Sequence, residues 1–193
     1  MTRRWALRLT ACLLAGAVVL TGCSEKQEAS ENLPTTSSPA PSEDALPPLG
    51  PEDLPMPDEA RTQDAAGAEA FVRYYIDLIN RTSRVMDAQP LRELSDGCRE
   101  CDRIAGTIEK AAANGHRFLG GQVAITHLAP IVVNAGNAEF DMRGDLAAGS
   151  GIDASGAEIA DLSAPAHAGL SGGAAVRWDP VRDVWVMTAF TLE

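Results

Sequence analysis

Glu69-Ala-Phe71-Val-Arg73-Tyr74-Tyr75-Ile76-Asp77-Leu-Ile79-Asn80-Arg81 is the stretch on which the fold turns. Ala68, Phe71, Val72, Tyr75, Ile76 and Ile79 recur at three- and four-residue spacing, whereas Arg73, Asp77, Asn80 and Arg81 fall largely on the opposite side. That period predicts an amphipathic helix over residues 62–84 with one face against a core. A short second helix is expected from Pro90, a residue suited to a first helical turn, and carries Leu91 and Leu94. A third begins at Cys98 or Arg99, presents Ile104, Ile108 and Ala111, and stops at Asn114-Gly115.

Beyond Gly115 the period falls to two. Val123, Ile125 and His127 alternate with Ala124, Thr126 and Leu128 in a strand that runs past Pro130 to Val133. A turn at 134–137 follows, and then Ala138, Phe140 and Met142 alternate with Glu139, Asp141 and Arg143. Residues 144–170 are rich in glycine, alanine and aspartate, and give only a turn at 153–156 and a weak strand over 157–162. The last pair is the clearest: strands over 174–178 and 184–192 flank the hairpin turn Asp179-Pro180-Val-Arg-Asp183. Three helices followed by antiparallel strands predict an α+β domain with its helices packed on one face of a curved sheet.

Working back to the start, Arg3, Arg4 and Arg8 precede an apolar run from Leu9 to Leu20, which leads into Leu20-Thr21-Gly22-Cys23. The run is too short to cross a bilayer core of roughly 30 Å and reads as a secretory signal. Its last four residues resemble a bacterial lipobox. The resemblance implies acylation of the Cys23 thiol, cleavage after Gly22, and a mature chain anchored through lipid to the outer face of the cell membrane. Residues 23–59 read as a tether, holding eight of the twelve prolines together with acidic residues that outnumber its one lysine, Lys26. Fully extended it spans about 110 Å, at ~3.1 Å per residue. Residues 60–193 remain for a single domain, long enough to bury a sizeable core.

The segment 1–22 holds three arginines and no acid, so the rest of the chain carries 13 basic against 27 acidic side chains, a formal −14. Such a surface repels phosphate backbones, which argues against a nucleic-acid partner. Two lysines against fourteen arginines, with abundant alanine, suggest a GC-rich, actinobacterial genome. Cys12 leaves with the signal and Cys23 takes the lipid, which leaves Cys98 and Cys101 as an even pair in an oxidising compartment.

The helical run from Glu69 to Leu78, then Pro90-Leu-Arg-Glu-Leu-Ser95, then Cys98-Arg-Glu-Cys101 resemble a family of actinobacterial lipoproteins of unknown function. The helix and sheet order is similar to the nuclear-transport-factor-2-like (SnoaL-like) cone. The resemblance implies a fold and an address, with no activity or cofactor attached.

Cys98-x-x-Cys101 has thioredoxin-like spacing, but Asp96, Glu100 and Asp102 surround it and disfavour a thiolate. A structural disulfide clamping the turn between the second and third helices is the preferred reading. Zinc lacks a second ligand pair, since His116, His127 and His167 are far apart in sequence, and no metal or cofactor is expected. Within a cone, Phe71, Tyr75, Val123, Ile125, His127, Phe140 and Trp178 are the expected lining of a pocket, if one is open. An isomerase of the ketosteroid type needs a base and a donor converging in such a pocket, and His127 is the candidate base. No base–donor pair falls on one predicted face, so no catalytic residue is assigned. Trp178 and Trp185 bracket the last hairpin, where aromatic rings serve a core more often than a ligand. The sequence therefore points to an anchored binding or assembly domain for an envelope protein or small ligand, able to pair with a second copy. An isomerase-like enzyme and a thiol–disulfide exchanger are the alternatives.

Overall fold

The computed structural model describes residues 47–134 and 136–193. Cys23, the segment 1–22 and the expected tether up to residue 46 lie outside the described residues.

Helix α1 (Ala65–Val85) is started by Asp64, whose carboxylate accepts the Gly67 N–H at 2.7 Å. It ends where Met86 turns left-handed at φ 62°. Ala68, Phe71, Val72, Tyr75, Ile76 and Ile79 are all buried, as the spacing predicts. The buried surface also takes in Tyr74 and Arg81, which an amphipathic helix with one dry face would leave in water.

The reason is a strap formed by residues 47–61, most of which the sequence assigned to the tether. Met56 and Ala60 are buried and Leu49 and Leu54 pack against the same core. Tyr74 Oη donates to Leu54 O at 3.1 Å, and Arg81 reaches Asp53 at 2.7 Å. Arg61 Nη1 donates to Pro47 O at 2.6 Å, and the Met56 N–H to Leu49 O at 2.8 Å. The prolines of this segment leave it one short 3-10 helix, Asp58–Arg61, and no strand, but do not prevent burial. A proline-rich stretch has less conformational freedom to lose when it docks. Residues 47–59, which the expected tether includes, thus belong to the compact unit Leu46–Glu193.

Helix α2 (Gln89–Glu93) and helix α3 (Arg99–Ala113) follow the expected order. Between them, residues 94–96 lie along the last strand: the Met187 N–H donates to Leu94 O and the Asp96 N–H to Met187 O, both at 2.9 Å. Cys98 and Cys101 form a disulfide beside this contact, with Cα atoms 5.2 Å apart and both residues buried.

The strands are β1 (Arg117–Gly120), β2 (Val123–Val133), β3 (Asn137–Leu146), β4 (Gly149–Ile152), β5 (Glu158–Ala164), β6 (His167–Asp179) and β7 (Val184–Leu192). They form two antiparallel sheets, ordered β1-β4-β5 and β2-β3-β6-β7, where one curved sheet was expected. Each strand of the smaller sheet runs directly into one of the larger: β1 into β2, β3 into β4, β5 into β6. The bonds Gly121 N–H to Ala148 O and Ala147 N–H to Gln122 O, both 2.9 Å, carry the ladder round the corner. Gly120 and Gly121 make that corner possible at φ 72° and 73°, and a Cβ on Gly120 would stand 2.3 Å from Ala148 O. The stretch 144–170 is thus ordered, and it supplies β4, β5 and the first part of β6. The protein is an α+β domain with three helices packed against antiparallel sheets.

Because the strap covers the second face of α1, Met56→Ala is expected to cost about 2–4 kcal/mol of unfolding free energy, the range for truncating a buried methionine. Urea titration of the variant measures it, and a loss below about 0.5 kcal/mol, the usual limit of surface changes, would return residues 47–59 to the tether.

Candidate functional site

The residues expected to line a pocket separate into three groups. Phe71, Tyr75 and Phe140 are fully enclosed in the core, with the rings of Phe71 and Tyr75 6.0 Å apart. Tyr75 Oη donates to Leu91 O at 3.2 Å, and burial pushes its pKa up to about 12, so this phenol stays a neutral hydrogen-bond donor. Trp178 stands edge-on to Trp185 at 5.3 Å, and the Trp185 indole N–H is engaged by Thr62 O at 2.8 Å. These rings fill the core.

Val123 and Ile125 are half-buried on the helix side of β2. His127 is not with them. The β2–β3 register shifts between Ile125 and His127, and the extra residue, Thr126, turns His127 to the outer face. There it lies opposite Arg143, half-exposed, with Nε2 3.6 Å from Asp141. A strict period of two cannot register one inserted residue, so this displacement left no signal in the pattern.

What the fold does open is a cleft where α3 crosses the corner of the sheet. One lobe, of about 210 Å³, lies between Ile104, Thr107 and Ile108 of α3 and Phe118, Leu119 and Gly120 of β1. Its far wall is Leu146, Ala147 and Gly149 at the corner, with Leu162 and Ala164 of β5. A second lobe, of about 220 Å³, is walled by Ile79, Val123, Leu170, Phe190 and Leu192. The lobes share Arg103, Ile104, Gly121 and Leu146, so they adjoin along α3.

Two side-chain contacts set the shape of this cleft. The Asn80 amide of α1 donates from Nδ2 to Val123 O and accepts the Val123 N–H at Oδ1, both at 2.8 Å. A helix side chain thereby acts as a one-residue strand and fixes where β2 leaves the corner. At the rim, Arg103 bonds Glu100 through Nε and Nη2 at 2.8 and 2.6 Å, and this hydrogen bond holds the guanidinium pKa above its ordinary value. The hydroxyls are turned inward to the helices: Ser83 Oγ donates to Ile79 O and Thr107 Oγ1 to Arg103 O. The sequence flagged Ile104 and Ile108 as core residues but gave no hint of the cleft, because the corner that faces them arises from glycines and small residues without periodicity.

The disulfide lies apart from this cleft's chemistry. Cys98 caps α3, its Sγ accepting the Cys101 N–H at 3.2 Å, and both cysteines are about 1 % exposed. Sulfurs so enclosed are poorly placed for exchange with a partner thiol.

No family model and no curated relative matches the chain. Among solved structures it is similar to the intermembrane-space region of the chloroplast protein ARC6, with a TM-score of 0.49 and 15 % identity, over 68 % of this chain and 97 % of that one. A structure from Catenulispora acidiphila aligns with a TM-score of 0.34 and 8 % identity, over 66 % of this chain and 94 % of that one.

Asn80→Ala leaves the Val123 amide and carbonyl without their partner and is expected to destabilise the domain by about 1–3 kcal/mol. Amide hydrogen exchange around residues 120–124 should accelerate in this variant. Unchanged protection at Val123 would show that the corner holds itself without the helix.

Proposed function

We propose that this protein is a lipid-anchored, non-catalytic binding module of the cell envelope, held to the outer face of the membrane through Cys23. Its domain is a nuclear-transport-factor-2-like cone, and its ligand occupies the cleft beneath α3. The cleft is the observation that carries the reading, being a concave, largely apolar site with few polar groups at its rim. The lipobox-like Leu20-Thr21-Gly22-Cys23 and the proline-rich stretch after it support the anchor. The hydrogen-bond ladder that turns the corner and wraps toward α1 and α3 supports the cone.

Binding is favoured over turnover by the placement of the ionisable groups. His127, the candidate base, is on the outer face of the sheet with Asp141. At the cleft the charged side chains, Arg103 and Glu100, are bonded to each other. Nothing in that arrangement pairs a free base with a donor across a reacting atom. Burial of Cys98 and Cys101 likewise weighs against thiol exchange.

Two measurements test this reading. Labelled palmitate should be incorporated by the wild-type chain and not by Cys23→Ser, and equal labelling of both would remove the anchor. For the cleft, the protein is extracted from its own membranes and released through a protease site placed after Ala45. Native mass spectrometry should then show a stoichiometric small-molecule adduct that Ala164→Trp, which fills one lobe, abolishes. An adduct-free domain that co-elutes with another envelope protein would replace ligand binding by assembly.

A further inference from the structure

Resting on the reading of the cleft as a ligand site, we infer that its ligand is a single unbranched hydrocarbon chain bearing an uncharged polar end. Three observations converge on that chemistry.

The first is shape. Each lobe, at 210 to 220 Å³, is below the roughly 300–1,000 Å³ of pockets that take drug-sized ligands. The two lobes adjoin along α3 through a shared wall that includes Ile104 and Leu146. A site of two small adjoining lobes suits a flexible chain that can occupy both better than one compact ring body.

The second is the state of the polar groups. Ser83 and Thr107 both spend their hydroxyl protons on carbonyls of their own helices, and the Asn80 amide is engaged at both ends by Val123. A site built to read a polar ligand leaves such groups aimed at it, because their pairing supplies the discrimination. Here the Ser83 and Thr107 protons are turned away, so the walls offer mainly apolar contact area, and a hydrocarbon gains by leaving water for them.

The third is charge. Arg103 borders both lobes, but its guanidinium is bidentate to Glu100, so the rim is a neutral pair. An anionic head would meet a guanidinium already neutralised by Glu100 and a chain that is strongly acidic overall. An alcohol can donate to Glu100 and accept from Arg103, and an ester can accept from Arg103, without breaking their bond.

The test uses the mature chain, residues 23–193, carrying Cys23→Ser so that no acyl chain of its own competes, with isoleucine methyl groups labelled for NMR. 1-Decanol should shift Ile79, Ile104 and Ile108 saturably at one equivalent and leave the exposed Ile131 unmoved. Decanoate should bind about tenfold more weakly, a difference of about 1.4 kcal/mol, and cyclohexanol should give no saturable shift. Thr107→Trp and Ala164→Trp fill the cleft from opposite walls. Either variant that keeps the wild-type melting temperature should weaken 1-decanol at least about tenfold, the effect of losing about 1.4 kcal/mol of contact. Decanoate binding as tightly as 1-decanol would overturn the uncharged head. Absence of any 1-decanol shift, with a different small-molecule adduct found on the membrane-derived protein, would overturn the chain while sparing the binding site. If neither 1-decanol nor a native adduct is seen, both readings fall together.

Discussion

A helix buried around most of its circumference needs partners on two sides, and α1 depends on having both. The sheet takes Phe71, Tyr75 and Ile79 with Phe140, Met142 and Trp185 in one cluster. The strap takes Tyr74 and Arg81 through Leu54 and Asp53. Burying each large apolar side chain contributes about 1.5–3 kcal/mol, so the sheet side dominates the energy of the core. The strap has a different effect. It satisfies a phenol and a guanidinium that the helix sequence would otherwise have to leave wet.

The second organising feature is the corner of the sheet. Two backbone hydrogen bonds bridge it, Gly121 to Ala148 and Ala147 to Gln122, while Gly120 and Gly121 take dihedrals that a side chain would oppose. Bending the ladder there pulls β1 and β5 out of the plane of β2 and β3 and sets them against α3. The cleft is the space left because α3 cannot follow the bend. Its position is therefore decided by main-chain geometry, and its character by which small and apolar side chains happen to stand along the fold. Asn80 joins the two features, since the same helix that anchors the core also holds the start of β2.

The sequence made some of this legible and hid the rest for identifiable reasons. Helices α1 to α3 and strands β3 and β7 followed from periodicity because each presents a run of apolar residues to one dry face. The pairing of Cys98 with Cys101 followed from their being the two cysteines left over. Strands β1 and β4 escaped because four residues are too few to show a period, and half of β4 is glycine. The strap escaped because proline and acid content reads as a solvated chain, and only tertiary contact with Tyr74 and Arg81 shows otherwise. His127 was placed on the wrong face by one extra residue in β2, and the core rings Phe71, Tyr75 and Phe140 were offered as a lining when they are the filling. Aromatic content could not distinguish those roles. The site that remains is marked by Ile104, Ile108 and Leu146, side chains with no chemistry of their own to advertise.

The strap has a mechanical meaning. Were the domain held by its N-terminal side, as proposed above, a pull would load the strap before the strands or the helix. It would be met first by the Pro47 carbonyl on Arg61, then by Asp53 on Arg81 and Leu54 on Tyr74. Behind these few hydrogen bonds and one ion pair, Met56 and Ala60 tie the strap to the core. Under such tension the strap would be the first part to yield length, leaving the sheet and the cleft behind it.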